Sequence, residues 1–221
     1  GGTTGRPKGV MLTHAAFFAN AMGAVGVYGF RDRDAQLLSG PMYHLGSGSR
    51  VFTAPLFLHH TIIVSRFEPV SAMQAIAAHR IASVQMVPTM LQMLLDHPEF
   101  GHHDLSSLRL VAYGASVMSQ ALLARVMAAL PEISLCQGFG MTECAPLVTA
   151  LPPDQHYPGS PTLGSIGAPV RHVDIRIVDA EDRDLPRGST GEILVRGPNV
   201  MKGYWNQPEL SAHALRGGWY H

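Results

Sequence analysis

The first ten residues form a segment whose composition suits the binding of an anion. They read GGTTGRPKGV and contain four glycines, two adjacent threonines and one lysine. Glycine lets successive backbone N–H groups point toward one bound group, because it adopts positive φ and allows close approach. Thr3 and Thr4 add hydroxyl donors, and Lys8 adds a point charge suited to phosphate. Since Pro7 and Gly9 flank the lysine, the segment is not a Walker A motif, and alone it also fits a flexible linker.

A second candidate segment, residues 137–143, reads QGFGMTE. It comes after a predicted buried strand, and ligands of open α/β sheets bind beyond the carboxyl ends of such strands. Two glycines around Phe139 predict a sharp turn with a flat ring available to a base. Thr142 offers a hydroxyl, and Glu143 offers the kind of carboxylate that Mg²⁺ takes alongside substrate phosphates. In isolation, a polar turn after a strand explains the segment equally well.

The third candidate segment is Tyr113-Gly114-Ala115-Ser116, which also lies at the carboxyl end of a predicted strand. Its small residues leave room for a planar ligand. Considered alone, the segment is more simply an ordinary strand-to-helix turn, with Ser119 as the cap of the following helix.

Together the three segments resemble the adenylate-forming superfamily, which includes acyl-CoA synthetases, aryl-CoA ligases, firefly luciferase and the adenylation domains of peptide synthetases. Residues 2–9 match its phosphate loop, and residues 138–143 match its second signature, usually written Y-G-x-T-E. Gly191-Glu192-Ile193 and Gly203-Tyr204-Trp205 match later blocks in the same order. The resemblance implies that ATP and a carboxylic acid give an acyl-adenylate and pyrophosphate. A thiol, usually coenzyme A, then takes the acyl group.

The resemblance also implies roles for individual residues. The residues that would act in catalysis are Thr3, Thr4, Lys8, Thr142 and Glu143. Thr3, Thr4 and Lys8 would hold the β- and γ-phosphates, Thr142 would bind phosphate, and Glu143 would hold Mg²⁺. Those that would bind the nucleotide are Gly2, Gly5, Gly114, Ala115, Ser116, Gln137, Gly138, Phe139 and Gly140. The chain departs from the common pattern at two positions. Gly1 replaces a frequent serine, which removes one donor, and Phe139 replaces a frequent tyrosine, which keeps the ring but loses its hydroxyl.

The segment Pro41-Met42-Tyr43-His44 resembles the P-x-[FY]-H element of the CoA ligases. By this resemblance, the residues that would border the acyl pocket are His44, Gly46, Tyr113 and Met141. No acidic residue lies between Asp34 and Glu68. Because a buried substrate ammonium without a counter-ion would be costly, an amino-acid substrate is disfavoured. We therefore expect a fatty acid first and an aryl acid second. His44 also fits a purely structural role.

The composition excludes several other classes of function. Lys and Arg together number 16, as do Asp and Glu, so the formal charge is zero. Nucleic-acid binding needs clustered basic residues, and this chain has no polybasic run. Its longest apolar stretch is too short to span a bilayer, which takes about 20 residues. Cys136 and Cys144 do not have the spacing of a zinc or redox pair, which favours a reducing, cytoplasmic location.

The elements that must position these residues follow from hydrophobic periodicity. Short β-branched and apolar runs alternate with helical patterns as far as residue 136, which predicts βαβ units and a mostly parallel sheet with flanking helices. One helix is expected at 13–27 and another at 49–58. Strict alternation at 173–178 and 192–196 predicts a smaller antiparallel β region. The fold class is thus α/β, divided into an α/β subdomain at 1–155 and a β-rich subdomain at 156–221.

The two ends of the chain prompt further expectations from the same resemblance. Relatives carry a T-G-D block after a segment like Gly218-Trp219-Tyr220-His221, so the chain is expected to be less than half of a longer protein. The isolated piece would then be a non-catalytic module with at most weak acyl or nucleotide binding. Residues 1–10 are expected to be poorly ordered, because ordering glycine-rich backbone costs about 1–2 kcal/mol per residue. The sequence does not predict an oligomeric state.

Overall fold

The structure is a computed structural model that describes residues 7–221. Over these residues the α-helices are α1 (His14–Tyr28), α2 (Leu45–Gly48), α3 (Arg50–Thr53), α4 (Pro69–His79), α5 (Pro88–Asp96), α6 (Gln120–Ala129) and α7 (Pro208–Ala214). The strands are β1 (Val10–Met11), β2 (Ala35–Leu38), β3 (His60–Ile63), β4 (Ser83–Met86), β5 (Leu110–Gly114), β6 (Ser134–Gly140), β7 (Leu147–Leu151), β8 (Ala168–Pro169), β9 (Asp174–Val178), β10 (Glu192–Arg196) and β11 (Gly203–Tyr204). Short 3-10 turns lie at Ala54–Phe57, Thr142–Cys144, Pro153–Gln155 and Arg216–Gly218.

Seven strands form the central sheet in the order β3-β2-β4-β5-β6-β7-β8. The first five are mutually parallel, whereas β7 and β8 add to the edge in antiparallel fashion. Strands β9 and β10 pair as a separate antiparallel hairpin, with Ile177 opposite Ile193. The predicted class is therefore confirmed: a mostly parallel α/β sheet with helices, followed by a smaller antiparallel region.

Helices cover the sheet on both faces, and the burial of the strands reflects this. On one face Val84 and Val111 pack with residues of α4, α5 and α6, such as Met73. On the other face Ala112 and Cys136 pack with α1 and with strands of the β-rich part. Because both faces are covered, the central strands are almost continuously apolar rather than alternating.

Two helices begin with a side-chain cap. The Thr13 hydroxyl accepts a hydrogen bond from the backbone N–H of Ala16 at 3.0 Å and opens α1. The Ser119 hydroxyl accepts from the N–H of Leu122 at 3.2 Å and opens α6. Each cap satisfies one of the N–H groups that a helix N-terminus leaves without a partner.

The prediction of one continuous helix at 49–58 is wrong. The region instead contains α2, α3 and the 3-10 turn Ala54–Phe57, which ends at Leu58 with a positive φ of 52°. Pro55 lacks the backbone N–H that a continuing α-helix would use, and Gly46 and Gly48 weaken the preceding turns. Apolar composition alone therefore did not indicate the breaks.

The expected division near residue 155 remains a prediction. Strand β8 lies beyond that position yet pairs with β7, so the large sheet draws on both parts of the sequence. Within residues 7–221, no helix is both long and apolar enough to cross a membrane.

Candidate functional site

The second and third candidate segments lie side by side at the carboxyl ends of β5 and β6. Tyr113 pairs with Gln137, and Gly114 pairs with Gly138. A Cβ atom on Gly114 would overlap the carbonyl oxygen of Gly138. The glycine is thus required by the close approach of the two strands, whatever the ligand. Ala115 follows with a φ of 64° and, like Ser116, is exposed.

The prediction that residues 137–140 form a turn after the strand is wrong. They lie inside β6, which runs on to Gly140. A Cβ on Gly138 would lie 2.6 Å from the Tyr28 hydroxyl, and one on Gly140 would overlap the carbonyl oxygen of Pro146. These glycines therefore allow tight packing against α1 and β7 rather than a turn. Phe139 is half-buried against the second face of the sheet, as is Met141.

The turn that carries Thr142 and Glu143 is held by two buried asparagines from distant parts of the chain. The amide nitrogen of Asn199 donates to the carbonyl oxygens of Cys144 at 2.9 Å and Leu147 at 3.1 Å. The amide nitrogen of Asn20, on α1, donates to the carbonyl of Leu147 at 3.1 Å and lies 3.5 Å from that of Cys144. Buried carbonyls need such partners, so the two amides fix the turn after Glu143.

Glu143 is buried, and its carboxylate is bound by a residue that sequence reasoning did not select. The Tyr204 hydroxyl donates to Oε1 of Glu143 at 3.0 Å. The Nζ atom of Lys8 lies 4.8 Å from the centroid of the Tyr204 ring. Tyr204 therefore contacts both the predicted phosphate-binding lysine and the predicted metal-binding carboxylate, which are 135 residues apart in the chain.

Backbone pairing explains why Lys8 reaches this position. Strands β1 and β11 pair antiparallel, with Val10 opposite Tyr204. The N–H of Trp205 donates to the carbonyl of Gly9 at 2.7 Å, and the N–H of Met201 donates to the carbonyl of Glu143, also at 2.7 Å. Gly9 and Val10 thus have regular backbone partners, and the poor order expected of residues 1–10 stays a prediction. Gly1, Gly2, Thr3, Thr4 and Gly5 lie outside the described residues.

A second tyrosine, Tyr220, extends this cluster. Burial raises the pKa of the Tyr220 phenol, and hydrogen bonding with Tyr204 adds to the shift. Burial likewise raises the pKa of Tyr204, and Glu143 contributes in the same direction. Both phenols therefore stay protonated at neutral pH and remain hydrogen-bond donors. The family block around residue 203 was the sequence signal that pointed to this strand, but not to the role of its tyrosine.

The hydroxyl of Tyr113 is bound by His156, a residue that the sequence motifs did not select. The Nδ1 atom of His156 lies 2.9 Å from the carbonyl oxygen of Pro152, which can only accept, so Nδ1 carries the proton. Nε2 then accepts from the Tyr113 hydroxyl at 2.9 Å. Burial lowers the pKa of His156, which favours this neutral form. The pair fixes Tyr113 beside Gly114.

The predicted acyl-pocket residues fall into two groups. Gly46 lies in α2, and a Cβ there would be 3.5 Å from Nε2 of Gln85 on β4, so this part of α2 contacts the sheet. His44 precedes α2 and is exposed, and Tyr43 is 85% exposed. The structure brings Gly46 against the sheet but leaves His44 at the surface.

The cysteines and the remaining acidic cluster are structural in character. Cys136 and Cys144 are free and buried, and burial raises the pKa of both thiols to about 12, so neither is a nucleophile at neutral pH. Asp182, Glu192 and His221 place their ligand atoms within 4.8 Å of one another. Arg216 contacts the two carboxylates at 3.2 and 3.9 Å, so this cluster is an ion-pair network.

The AMP-binding enzyme family matches residues 1–205. The feruloyl-CoA synthase of an Amycolatopsis species is 37% identical over 221 residues, which are 100% of this chain and 44% of that protein. The long-chain-fatty-acid–CoA ligase of Escherichia coli O6:H1 is 33% identical, over 100% of this chain and 39% of that protein. The structure of the amide bond synthetase of Marinactinospora thermotolerans aligns with a TM-score of 0.89 and 33% identity, over 99% of this chain and 44% of that one.

The chain thus spans less than half the length of these relatives. The mostly parallel sheet of this chain agrees with this likeness. The protein belongs to the AMP-binding enzyme family.

Proposed function

We propose that these residues form part of an ATP-dependent acid–thiol ligase, which activates a carboxylic acid as an acyl-adenylate and transfers it to coenzyme A. Membership of the family and the names of the two CoA-forming relatives support this reaction. The observation that carries the proposal is the meeting of Lys8, Tyr204 and Glu143 beyond the carboxyl end of β6. This meeting supports the proposal, because ligands of open α/β sheets bind beyond the carboxyl ends of the strands.

In the first step, a carboxylate oxygen of the acid attacks the α-phosphorus of ATP, and the bond from that phosphorus to the bridging oxygen breaks. Pyrophosphate leaves with the electron pair. Because the attacking acid is already ionised, no protein base is required, and charge neutralisation and positioning are the main contributions. Lys8 supplies a positive charge for the departing phosphates, and Thr142 supplies a hydroxyl donor. Thr3 and Thr4 are proposed to act beside them.

Glu143 fits the role of a Mg²⁺ ligand. Mg²⁺ is bound in such sites through one or two carboxylates together with substrate phosphates. The Tyr204 hydroxyl donates a hydrogen bond to Oε1 of Glu143 and so fixes the orientation of the carboxylate. The second carboxylate oxygen, Oε2, can coordinate a cation. When bound, the ion would neutralise charge on the phosphates. Tyr204 is then a positioning residue for the carboxylate.

The nucleotide is proposed to bind along the ends of β5 and β6. The glycines proposed to line it are Gly114 on β5 and Gly138 and Gly140 on β6. Gly2 and Gly5 of the opening segment are proposed to contact the same nucleotide. Ala115 and Ser116 are exposed at the turn after β5, where a planar base has access. Gln137 and Phe139 are the larger side chains proposed to contact it.

In the second step, the thiol of coenzyme A attacks the acyl carbonyl, and AMP leaves. The acyl pocket is proposed to include His44, Gly46, Tyr113 and Met141. A fatty acid is the first candidate and an aryl acid the second, and the relatives named above include one enzyme of each kind. We further propose that the protein acts in the cytoplasm.

The proposal is tested with the natural polypeptide that contains these residues. Exchange of labelled pyrophosphate into ATP is measured with a panel of fatty and aryl acids. We expect exchange that depends on the acid, and we expect Glu143→Gln to lower it at least about a hundredfold. The matched control is Glu181→Gln, whose side chain is 64% exposed and pairs with Arg183. Absence of exchange with every acid, or equal rates in both variants, would contradict the proposal.

A further inference from the structure

Arg50 is a buried cation that the proposed chemistry does not use. It begins α3 and is only 4% exposed. Its guanidinium lies 5.1 Å from the centroid of the Tyr28 ring and 4.7 Å from that of Phe30. Its Nε donates to Oε1 of Gln85 at 3.1 Å, while one terminal nitrogen, Nη2, is buried without a hydrogen-bond partner.

The charge of Arg50 has no counter-ion in the part of the chain that the structure describes. Among residues 7–221, eight other arginines form ion pairs with carboxylates within 4.0 Å, and Arg50 forms none. Burial lowers the pKa of Arg50, and the titratable groups that act on it, Tyr28 and Cys136, are neutral at physiological pH. Aromatic rings offset only part of the cost of burying a cation.

The guanidinium lies between the two parts of the proposed site. A Cβ atom added to Gly46 of α2 would lie 3.5 Å from Nε2 of Gln85, the residue that Arg50 binds. A Cβ atom added to Gly138 of β6 would lie 2.6 Å from the hydroxyl of Tyr28, whose ring the guanidinium contacts. Arg50 is therefore next to the proposed acyl pocket on one side and the proposed nucleotide strand on the other.

The sheet surface beneath α3 is polar and incompletely paired. Val84 packs into the first core, so Ser83 and Gln85 point to the opposite face of β4. Gln36 of β2 is the register partner of Ser83. Both Oε1 of Gln36 and Oγ of Ser83 are buried without a partner. An unsubstituted hydrocarbon chain would leave these groups and Nη2 of Arg50 unpaired, which is unfavourable.

We propose that Arg50 is a specificity residue whose Nη2 donates to a second oxygen of the substrate acid, one remote from the reacting carboxylate. This inference rests on the proposed function and narrows its substrate class to oxygenated acids, such as a hydroxyaryl acid or a dicarboxylic acid. A donor held at a fixed place discriminates strongly against an analogue that lacks the acceptor, because the donor then stays unpaired.

The test compares matched acids in the pyrophosphate exchange assay, with the natural polypeptide that contains these residues. The pairs are 4-hydroxycinnamate against cinnamate, and octanedioate against octanoate. In the wild-type protein we expect kcat/KM to favour the oxygenated member of at least one pair by about tenfold to a hundredfold. Arg50→Met replaces the guanidinium with an unbranched apolar side chain. In this variant we expect the preference to fall to about threefold or less, with the KM for ATP unchanged.

Arg125→Met is the matched control, because Arg125 is half-exposed and pairs with Asp96 on the surface. It should keep the wild-type preference. Arg50→Lys retains the charge without the guanidinium fork and should show a reduced preference. A wild-type protein that uses the plain acid of each pair as well as the oxygenated one overturns this inference and leaves the proposed function intact. Exchange with no acid at all overturns the proposed function instead.

Discussion

Replacing Tyr204 by Phe should loosen the turn that carries Glu143. The substitution removes the hydroxyl that donates to Oε1 at 3.0 Å, yet it keeps the ring against which Lys8 packs. Glu143 is only 7% exposed, so water replaces the lost donor poorly. A hydrogen bond to a charged group contributes about 1.5–3 kcal/mol, and we expect a loss of about 2 kcal/mol in the free energy of local opening.

Hydrogen–deuterium exchange read out by mass spectrometry measures this loss directly. A loss of about 2 kcal/mol corresponds to exchange about 30-fold faster, since 1.4 kcal/mol is a factor of ten. The increase should be confined to residues 141–148 and 199–205, which include the 2.7 Å bond from the N–H of Met201 to the carbonyl of Glu143. Tyr157→Phe, at a tyrosine that is 48% exposed, is the control. Unchanged exchange in these two segments would refute the reasoning.

Three further outcomes follow from the packing and the pKa shifts. Gly114→Ala should lower the free energy of unfolding by about 3 kcal/mol or more, because the new Cβ would overlap the carbonyl oxygen of Gly138. Gly26→Ala, at a position on α1 with open space around it, should be neutral or stabilising, and urea unfolding compares the two variants. Asn199→Ala should cost about 2 kcal/mol, seen as faster amide exchange in β7, and an unaltered rate would contradict the role of its amide. Burial lowers the pKa of His156, so as the pH drops the unfolded chain binds a proton at this histidine before the folded chain does. Stability should therefore fall as the pH drops below about 6.5. Thermal unfolding of His156→Gln should show a smaller loss of stability over the same pH range.

The parallel sheet was predictable because its strands carry a direct signal. Runs such as Leu110-Val111-Ala112 are apolar on both faces, and each is followed by a helical pattern. Strand β7 escaped prediction although it is just as apolar, because no helix separates it from β6. Only the turn at 142–146, fixed by Asn20 and Asn199, reverses the chain there.

The candidate site was predictable in its membership but not in its geometry. Lys8 and Glu143 were selected by motif, yet the residue that joins them, Tyr204, comes from a two-residue strand too short to have a periodic signal. The glycines of β6 were interpreted as a turn because glycine allows one. Their actual requirement is the proximity of Tyr28 and Pro146, which depends on how α1 and β7 pack and is invisible in local sequence.

Arg50 illustrates the same limit for specificity. In the sequence it is one arginine after a run of glycines and serines, and nothing local distinguishes it from the exposed arginines. Only its burial at the start of α3, beside the rings of Tyr28 and Phe30, makes its missing partner apparent.

The central claim, that this protein contributes to an acid–thiol ligase working through an acyl-adenylate, is tested most directly with an acid labelled with ¹⁸O in its carboxylate. The natural polypeptide that contains these residues is incubated with the labelled acid, ATP and coenzyme A, and the nucleotide product is examined by mass spectrometry. Because a carboxylate oxygen bonds to the α-phosphorus and stays with it when the thiol attacks the carbonyl, we expect a single ¹⁸O atom in each AMP formed. Unlabelled AMP, or ADP as the nucleotide product, would contradict the account.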